Sequence, residues 1–212
     1  MKLKCFCVNP FGENTYIIWD EFSQNGAIID PGMCNKKEQQ LIDTFVSDNK
    51  IKLEWLINTH LHIDHAAGIS HIKSTYGLPL SSNAADEFLA SRLEQQAAAF
   101  GFPYNDGDAV VERNLSDNEK IIVAGEECIV LHIPGHSPGH IALYFPNSHI
   151  AFSGDALFQM SIGRTDLPGG NYSQLIESIT DKLLSLPGDT IVYPGHGPKT
   201  SIKVEAEYNP YL

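Results

Sequence analysis

The segment Thr59–His65 constrains the fold of this chain more than any other stretch, because it places four metal-binding side chains directly after a short apolar run. That run, Leu53–Ile57, has the length and composition of a buried β-strand. In α/β proteins, ligands bind beyond the carboxyl ends of such strands. The sequence therefore predicts an α/β fold with a metal site at one edge of a sheet.

The four side chains of this segment are His60, His62, Asp64 and His65. His60 and His62 point the same way if the segment is extended. If a helix begins at Asp64 and His65, their side chains turn toward a second metal position. A lone histidine is more often a packing or surface residue than a ligand, but four donors at one strand end favour a site. Imidazole suits Zn, Fe, Cu and Ni, and a carboxylate adds hard character, so we expect a site for two ions.

Three later segments each end a predicted strand with a glycine followed by a potential ligand. The ligands are His136, Asp155 and His196. Glycine lets the backbone turn sharply and so bring a ligand to the sheet edge. Each segment alone is a weak signal, but together they supply the donors that complete two metal sites.

The remaining apolar pattern predicts two strand-rich halves, each accompanied by helices. We expect two packed sheets with helices outside and one domain over residues 1–212. The stretch 101–118, rich in Gly, Asp and Asn, has the length of a functional loop. Strands are predicted over residues 2–8, 15–19, 26–29, 53–57, 79–80, 120–123, 127–133, 141–145, 150–152 and 191–193. Helices are predicted over residues 36–48, 69–76, 84–100, 173–184 and 200–208.

Composition argues against two classes of partner. The 26 acidic residues outnumber the 14 basic ones, and the formal net charge is −12. A nucleic-acid-binding protein needs a basic face against the phosphates, and an anionic membrane surface would repel this chain for the same reason. No apolar run approaches the ~20 residues of a membrane-spanning helix, and the first residues predict a strand rather than a signal peptide. We therefore expect neither nucleic acid nor a membrane as a partner.

The four cysteines do not resemble a disulfide framework in a chain of this length. Cys5 and Cys7 share one face of a predicted strand and are expected to pack rather than to bind metal. Reduced thiols favour a cytoplasmic location. The oligomeric state leaves no signal in the sequence.

Together these motifs resemble the metallo-β-lactamase superfamily, and within it the glyoxalase II-like (hydroxyacylglutathione hydrolase-like) enzymes. The resemblance spans nearly the whole chain. It includes Glu13–Tyr16, Ile29–Gly32, the histidine cluster, Pro134–His140, Gly154–Phe158, Ser161–Asp166 and Pro194–Gly197. It implies a four-layer αβ/βα sandwich with the metals at one edge of the sheets.

Carried onto this chain, the resemblance implies a site for two divalent ions, with zinc expected and iron or manganese as alternatives. The first ion would be held by His60, His62 and His136, the second by Asp64, His65 and His196, and Asp155 would bridge them. Asp64 is also assigned as the catalytic residue. Two such ions lower the pKa of a shared water toward about 7, and the resulting hydroxide would attack a thioester such as an S-2-hydroxyacylglutathione.

Two further residues have competing interpretations. Asp30 is expected to orient ligands from behind, although an aspartate before Pro-Gly also suits a turn. Arg164 stands where glyoxalase II enzymes carry a basic substrate-binding residue and would pair with a substrate carboxylate. The alternative for Arg164 is a structural pair with Asp166.

The resemblance also has limits. Glyoxalase II enzymes carry a C-terminal helical domain that this compact chain is expected to lack, and Asp166 stands where they carry a tyrosine, so glutathione specificity is not implied. The closest rival function is a persulfide dioxygenase with one iron, which would leave Asp64, His65 and His196 without metal. A second alternative, from a different functional class, is a non-catalytic binding protein with this fold, because fold alone does not establish activity.

Overall fold

A computed structural model describes all residues, 1–212, and contains two six-stranded sheets flanked by helices. The strands are β1 (Lys2–Val8), β2 (Glu13–Trp19), β3 (Asn25–Ile29), β4 (Lys52–Ile57), β5 (Leu80–Ser82), β6 (Arg113–Asn114), β7 (Lys120–Val123), β8 (Glu126–His132), β9 (Ile141–Phe145), β10 (Ile150–Gly154), β11 (Leu157–Phe158), β12 (Ser161–Ile162), β13 (Ile191–Pro194) and β14 (Thr200–Ser201). The helices are α1 (Lys36–Asp48), α2 (Ile63–Ala66), α3 (Ile69–Tyr76), α4 (Glu87–Ala90), α5 (Leu93–Phe100), α6 (Tyr172–Ser178) and α7 (Ile202–Tyr208). A 3₁₀ turn precedes α4 at Ala84–Asp86, and a π-helical turn follows α6 at Ile179–Leu183.

The first sheet has the strand order β1-β2-β3-β4-β5-β6. Its first three strands are antiparallel, and β3 to β6 are parallel because α1 and later helices return the chain to the same end. The second sheet has the order β14-β13-β10-β9-β8-β7 and is antiparallel except for the β10–β13 pair. Strands β11 and β12 form a separate small hairpin.

Three groups of buried side chains divide the molecule into four layers. The central group joins both sheets, for example through Ile18 and Ile29 of the first sheet and Val130 and Phe145 of the second. A second group packs the other face of the first sheet against α1 to α5, and a third packs the second sheet against α6 and α7. The layers are therefore helix, sheet, sheet and helix, which confirms the predicted four-layer sandwich.

The predicted helix over 84–100 is interrupted in the structure. Helix α4 ends at Ala90, and α5 begins at Leu93 after Arg92 takes an extended φ of −143°. Side-chain contacts replace the missing helical bonds: Asp108 Oδ1 accepts from Glu94 N at 3.2 Å, and the Gln96 side-chain amide donates to Leu89 O at 2.9 Å. Because these contacts use side chains, one of them from outside residues 84–100, periodicity did not reveal the interruption.

Two further differences concern loops and exposed features. The stretch 101–118 is not entirely irregular, because Arg113–Asn114 forms β6 and pairs in parallel with β5. Cys5 and Cys7 are exposed, so the expectation that they pack is wrong, and all four cysteines are free thiols. None of the helices has both the length and the apolar character that crossing a membrane requires.

Candidate metal centre

The seven predicted ligands lie together where four chain segments leave the two sheets. The segment after β4 carries His60 and His62. It then enters α2, which begins at Ile63 and carries Asp64 and His65. The loop before β9 carries His136, and the ends of β10 and β13 carry Asp155 and His196. A backbone bond of 2.8 Å from Asn14 N to Gly195 O joins the sheets at this end.

The first group of donors consists of His60, His62 and His136, all buried. His62 Nδ1 lies 2.9 Å from His136 Nε2, and His60 Nε2 lies 3.3 Å from that same Nε2. Three imidazole nitrogens thus converge on one point, as the extended conformation of Thr59–His62 allows.

The hydrogen bonds at the Nδ1 atoms of His60 and His136 leave the Nε2 lone pairs of these two rings facing one another. His136 Nδ1 lies 2.7 Å from Arg164 O, which can only accept, so Nδ1 carries the proton. Thr59 Oγ1 donates to Asp30 Oδ2 at 2.7 Å and therefore accepts from His60 Nδ1 at 3.1 Å. Both Nε2 atoms then present lone pairs with no proton to share. A bound cation removes this repulsion, so the donor set fits a metal ion.

Burial favours the neutral form of the His60 and His62 rings. Burial, followed by the proximity of the His136 ring, lowers the pKa of His62 to about 3. Burial, followed by the neighbouring His65, also holds the pKa of His60 well below its usual value. Neutral imidazole is the form that binds metal, so both rings are ready as ligands at neutral pH.

The second group of donors consists of Asp64, His65 and His196. Asp64 Oδ2 lies 3.1 Å from His196 Nε2, and His65 Nε2 lies 3.3 Å from the same nitrogen. His65 is fully buried, whereas Asp64 and His196 are partly exposed. This group therefore opens toward solvent more than the first.

Asp155 lies between the two groups. Its Oδ2 is 3.8 Å from His136 Nε2 and 3.7 Å from His196 Nε2, while its Oδ1 is 3.3 Å from His65 Nε2. Oδ1 is buried and has no hydrogen-bond donor, which is costly unless a cation takes that place. Burial alone would raise the pKa of Asp155, but the imidazoles of His65 and His136 lower it below its usual range. Asp155 is thus placed to contact ions in both groups.

Asp30 lies in a turn and contacts both the ligand segment and the second donor group. It adopts a left-handed φ of +50°, which the Asp before Pro-Gly tolerates. Its Oδ1 accepts from Thr59 N at 2.6 Å, and its Oδ2 lies 3.2 Å from His65 Nδ1. The side chain therefore holds the start of the ligand segment and orients one ring of the second group.

Asp30→Asn should weaken metal binding by about tenfold, within the range known for residues that orient ligands. Asparagine tolerates the left-handed backbone, but its amide group turns an N–H toward either Thr59 or His65, both of which are donors here. Competition with a chromogenic chelator measures the affinity. Asp20→Asn, in an exposed turn, is the control; unchanged affinity in Asp30→Asn would contradict an orienting role.

Two residues of the centre were not predicted from sequence. His140 Nε2 accepts from Asp155 N at 3.0 Å, and its ring stacks on His60 with centroids 5.1 Å apart. Buried Asp86 accepts from Ser137 Oγ at 2.7 Å and Gly139 N at 2.6 Å. His140 was detectable from its place in the Pro-Gly-His-Ser-Pro-Gly-His run, whereas nothing near Asp86 signals its role.

Arg164 forms the structural pair that its neighbour Asp166 made plausible. Nε and Nη2 bind the two carboxylate oxygens of Asp166 at 2.7 and 2.8 Å. Arg164 also lines the cleft over the metal centre, so its guanidinium remains accessible to a molecule bound there while it is paired with Asp166. This cleft has a volume of about 310 Å³ and is lined by Phe11, His62, Ile63, Asp64, Phe100, His136, Asp155, Arg164, Leu167 and His196.

Known proteins match this fold along its whole length. Hydroxyacylglutathione hydrolase GloC of Haemophilus influenzae is 38% identical, over 100% of this chain and 98% of its own. The crystal structure of BLEG-1, a B3 metallo-β-lactamase, superposes with a TM-score of 0.90 at 30% identity, covering 100% and 99% of the two chains. TTHA1623 in a di-iron-bound form superposes with a TM-score of 0.87 at 34% identity, covering 99% and 100%.

These similarities agree with the predicted resemblance. The family model of the metallo-β-lactamase superfamily matches residues 8–196, which include every predicted ligand. This chain belongs to the metallo-β-lactamase superfamily.

Proposed function

We propose that this chain is a metal-dependent hydrolase of thioesters, with S-2-hydroxyacylglutathiones as the substrate class. One observation carries the proposal: all seven donors are present, and Asp155 lies between two convergent groups. The 38% identity with a hydroxyacylglutathione hydrolase supports the substrate class. We further propose zinc as the resident metal, with iron or manganese as alternatives, and one catalytic domain, 1–212, acting in the reducing cytoplasm, which suits its free thiols.

In this proposal His60, His62 and His136 hold one ion, Asp64, His65 and His196 hold the other, and Asp155 contacts both. When bound, two divalent cations polarise a carbonyl and lower the pKa of a water toward about 7. Asp64 is the catalytic residue: its carboxylate lines the cleft and is partly exposed, so it can accept a hydrogen bond from the attacking water and hold its proton. Asp30 holds the ring of His65 in position. His140 does the same for Asp155 through its backbone N–H.

The lining of the cleft favours a thioester over an amide. Apart from the seven proposed ligands, its only ionisable group is Arg164, whose guanidinium does not give up a proton. A thiol leaves as a thiolate, because its pKa is only about 8–9. An amine must be protonated before it leaves, and Arg164 cannot supply that proton, whereas a thiolate leaves without one. The ester-like bond to sulfur is therefore the best match to this site.

Arg164→Ala should raise the KM for an acidic thioester about tenfold and leave metal content unchanged. An exposed pair such as Arg164–Asp166 is worth little energy, so a substrate carboxylate can replace Asp166 on the guanidinium. Steady-state kinetics together with metal analysis checks the result. Loss of metal in this variant would refute a purely substrate-binding role.

Metal content and activity, measured together, test the proposed function. Protein purified without oxygen is assayed for metals and for hydrolysis of S-lactoylglutathione. About two equivalents of metal with hydrolysis support the proposal. One iron per chain, oxygen uptake with a persulfide and no hydrolysis would instead identify a persulfide dioxygenase. Turnover of a β-lactam without thioester hydrolysis would also overturn the proposal, and no turnover of any substrate would favour a binding protein.

A further inference from the structure

A second cavity of about 310 Å³ adjoins the cleft over the metal centre. The two share three lining residues, His62, Phe100 and Leu167. Since one of these is a proposed metal ligand, the second cavity begins beside the reacting atoms. A substrate bound at the metals can therefore extend one of its arms into this space.

The interrupted helix builds most of the second cavity. Helices α4 and α5 form one side, and the loop at Leu167–Pro168 forms the other. Phe88 reaches across to this loop, since a Cβ on Gly169 would lie only 3.1 Å from its ring. Phe88, Leu89, Ala99, Phe100 and Leu167 make half of the lining apolar. Such a wall suits a hydrocarbon chain better than a charged peptide.

One cation without a partner lies in this lining. Among the three arginines, Arg164 is bound to Asp166, and Arg113 pairs with Glu119 and lies over the Trp55 ring. Arg92 lines the second cavity, and no carboxylate of the protein lies within 4.0 Å of its side chain. An unpaired guanidinium at an apolar cavity is complementary to a carboxylate, which it can bind through two hydrogen bonds.

We propose that the second cavity binds an apolar arm of the substrate and that Arg92 binds a carboxylate at the far end of this arm. The inference rests on the proposed thioester hydrolysis. An arm on the acyl side narrows the S-2-hydroxyacylglutathione class to acyl chains that end in a carboxylate, whereas an arm on the thiol side replaces glutathione by a carrier with a hydrocarbon chain. It selects thioesters in which a hydrocarbon spacer separates the scissile group from a carboxylate. Either side of the thioester can supply this chemistry: an acyl chain ending in a carboxylate or a thiol carrier ending in one.

Matched thioesters separate these two sources. The acyl pair is the glutaryl and pentanoyl thioesters of N-acetylcysteamine, and the thiol pair is the acetyl thioesters of 6-mercaptohexanoate and of hexanethiol. Arg92→Ala should raise the KM of the charged member of one pair about tenfold, as expected for a lost charge-assisted bidentate contact. The KM of the neutral member should change less than about twofold, and kcat should change little. Arg113→Ala is the control and should leave all four unaffected.

A second variant tests the apolar wall. Ala99 is exposed along α5, so Ala99→Phe narrows the cavity without disturbing the core. It should raise the KM of the long-armed substrates and spare S-methyl thioacetate, which has no arm on either side of the thioester. Equal effects of Arg92→Ala on charged and neutral members, or no effect on either charged substrate, would overturn the inference.

Binding without turnover distinguishes failure of this inference from failure of the proposed function. S-Methyl thioethers of 6-mercaptohexanoate and of hexanethiol cannot be hydrolysed, and calorimetry measures their affinity for the metal-loaded protein. Tighter binding of the charged thioether, lost in Arg92→Ala, supports the site even if no thioester is turned over. Equal binding of both thioethers, together with hydrolysis of thioesters, would contradict a carboxylate site at Arg92. The proposed hydrolase function would then still be supported.

Discussion

Asp155→Ala should lose bound metal and hydrolysis together, with activity falling at least about a thousandfold, since metal-generated nucleophiles supply several kcal/mol of catalysis. Asp155 is the one residue with oxygens near both donor groups, 3.3 Å from His65 and 3.7 and 3.8 Å from His196 and His136. Metal analysis of the purified variant and thioester turnover measure the two losses.

Asp43→Ala is the matched control for this substitution. Asp43 also bonds a histidine, His71, at 3.0 Å, but neither residue belongs to the ligand groups. The control should keep about two equivalents of metal and full activity. Full activity of Asp155→Ala with metal bound would remove the bridging role. Loss of metal from only one group would show that Asp155 serves a single ion.

Gly195→Ala should disrupt the metal centre without removing any ligand. A Cβ on Gly195 would lie 2.2 Å from Asp155 Oδ1 and 2.5 Å from His65 Cε1, far inside contact distance. Both ligands must shift, and forcing one carbon into a packed site costs about 1–3 kcal/mol. The displaced groups are Asp155, the proposed bridge, and His65, a proposed ligand. We therefore expect metal affinity to fall at least about tenfold, which is equivalent to about 1.4 kcal/mol.

Gly188→Ala is the control for this prediction, because a Cβ there would lie an ordinary 3.5 Å from Lys203. Chelator competition compares the metal affinities of the two variants, and thermal unfolding of the metal-free proteins checks that both fold. Wild-type affinity in Gly195→Ala would show that the ligand loops yield freely and that the glycine is not required for close approach.

Many features of this molecule were predictable because they depend on local pattern. Strands such as β1 and β9 and helix α1 follow the predicted bounds closely, since alternation and helical periodicity record which face is buried. A helix at Asp64 and His65 was only a condition for a second donor group, and in the structure α2 begins at Ile63. The four-layer sandwich and the family were predicted from the motifs and are confirmed. The roles of the seven ligands, of Asp30 and of Arg164 remain predictions.

The sequence by itself determined which residue types stand at the strand ends, and therefore that imidazoles and carboxylates collect at one edge of the two sheets. The tertiary structure alone decided how they are supported. The carboxylate of Asp86 accepts from the backbone N–H groups of Leu61 and Gly139, residues of two different ligand loops. Arg92 lies in the break between α4 and α5, and its side chain lines the second cavity. The physical reason is that side-chain partners distant along the chain meet only after packing, whereas periodicity reports burial within one element at a time.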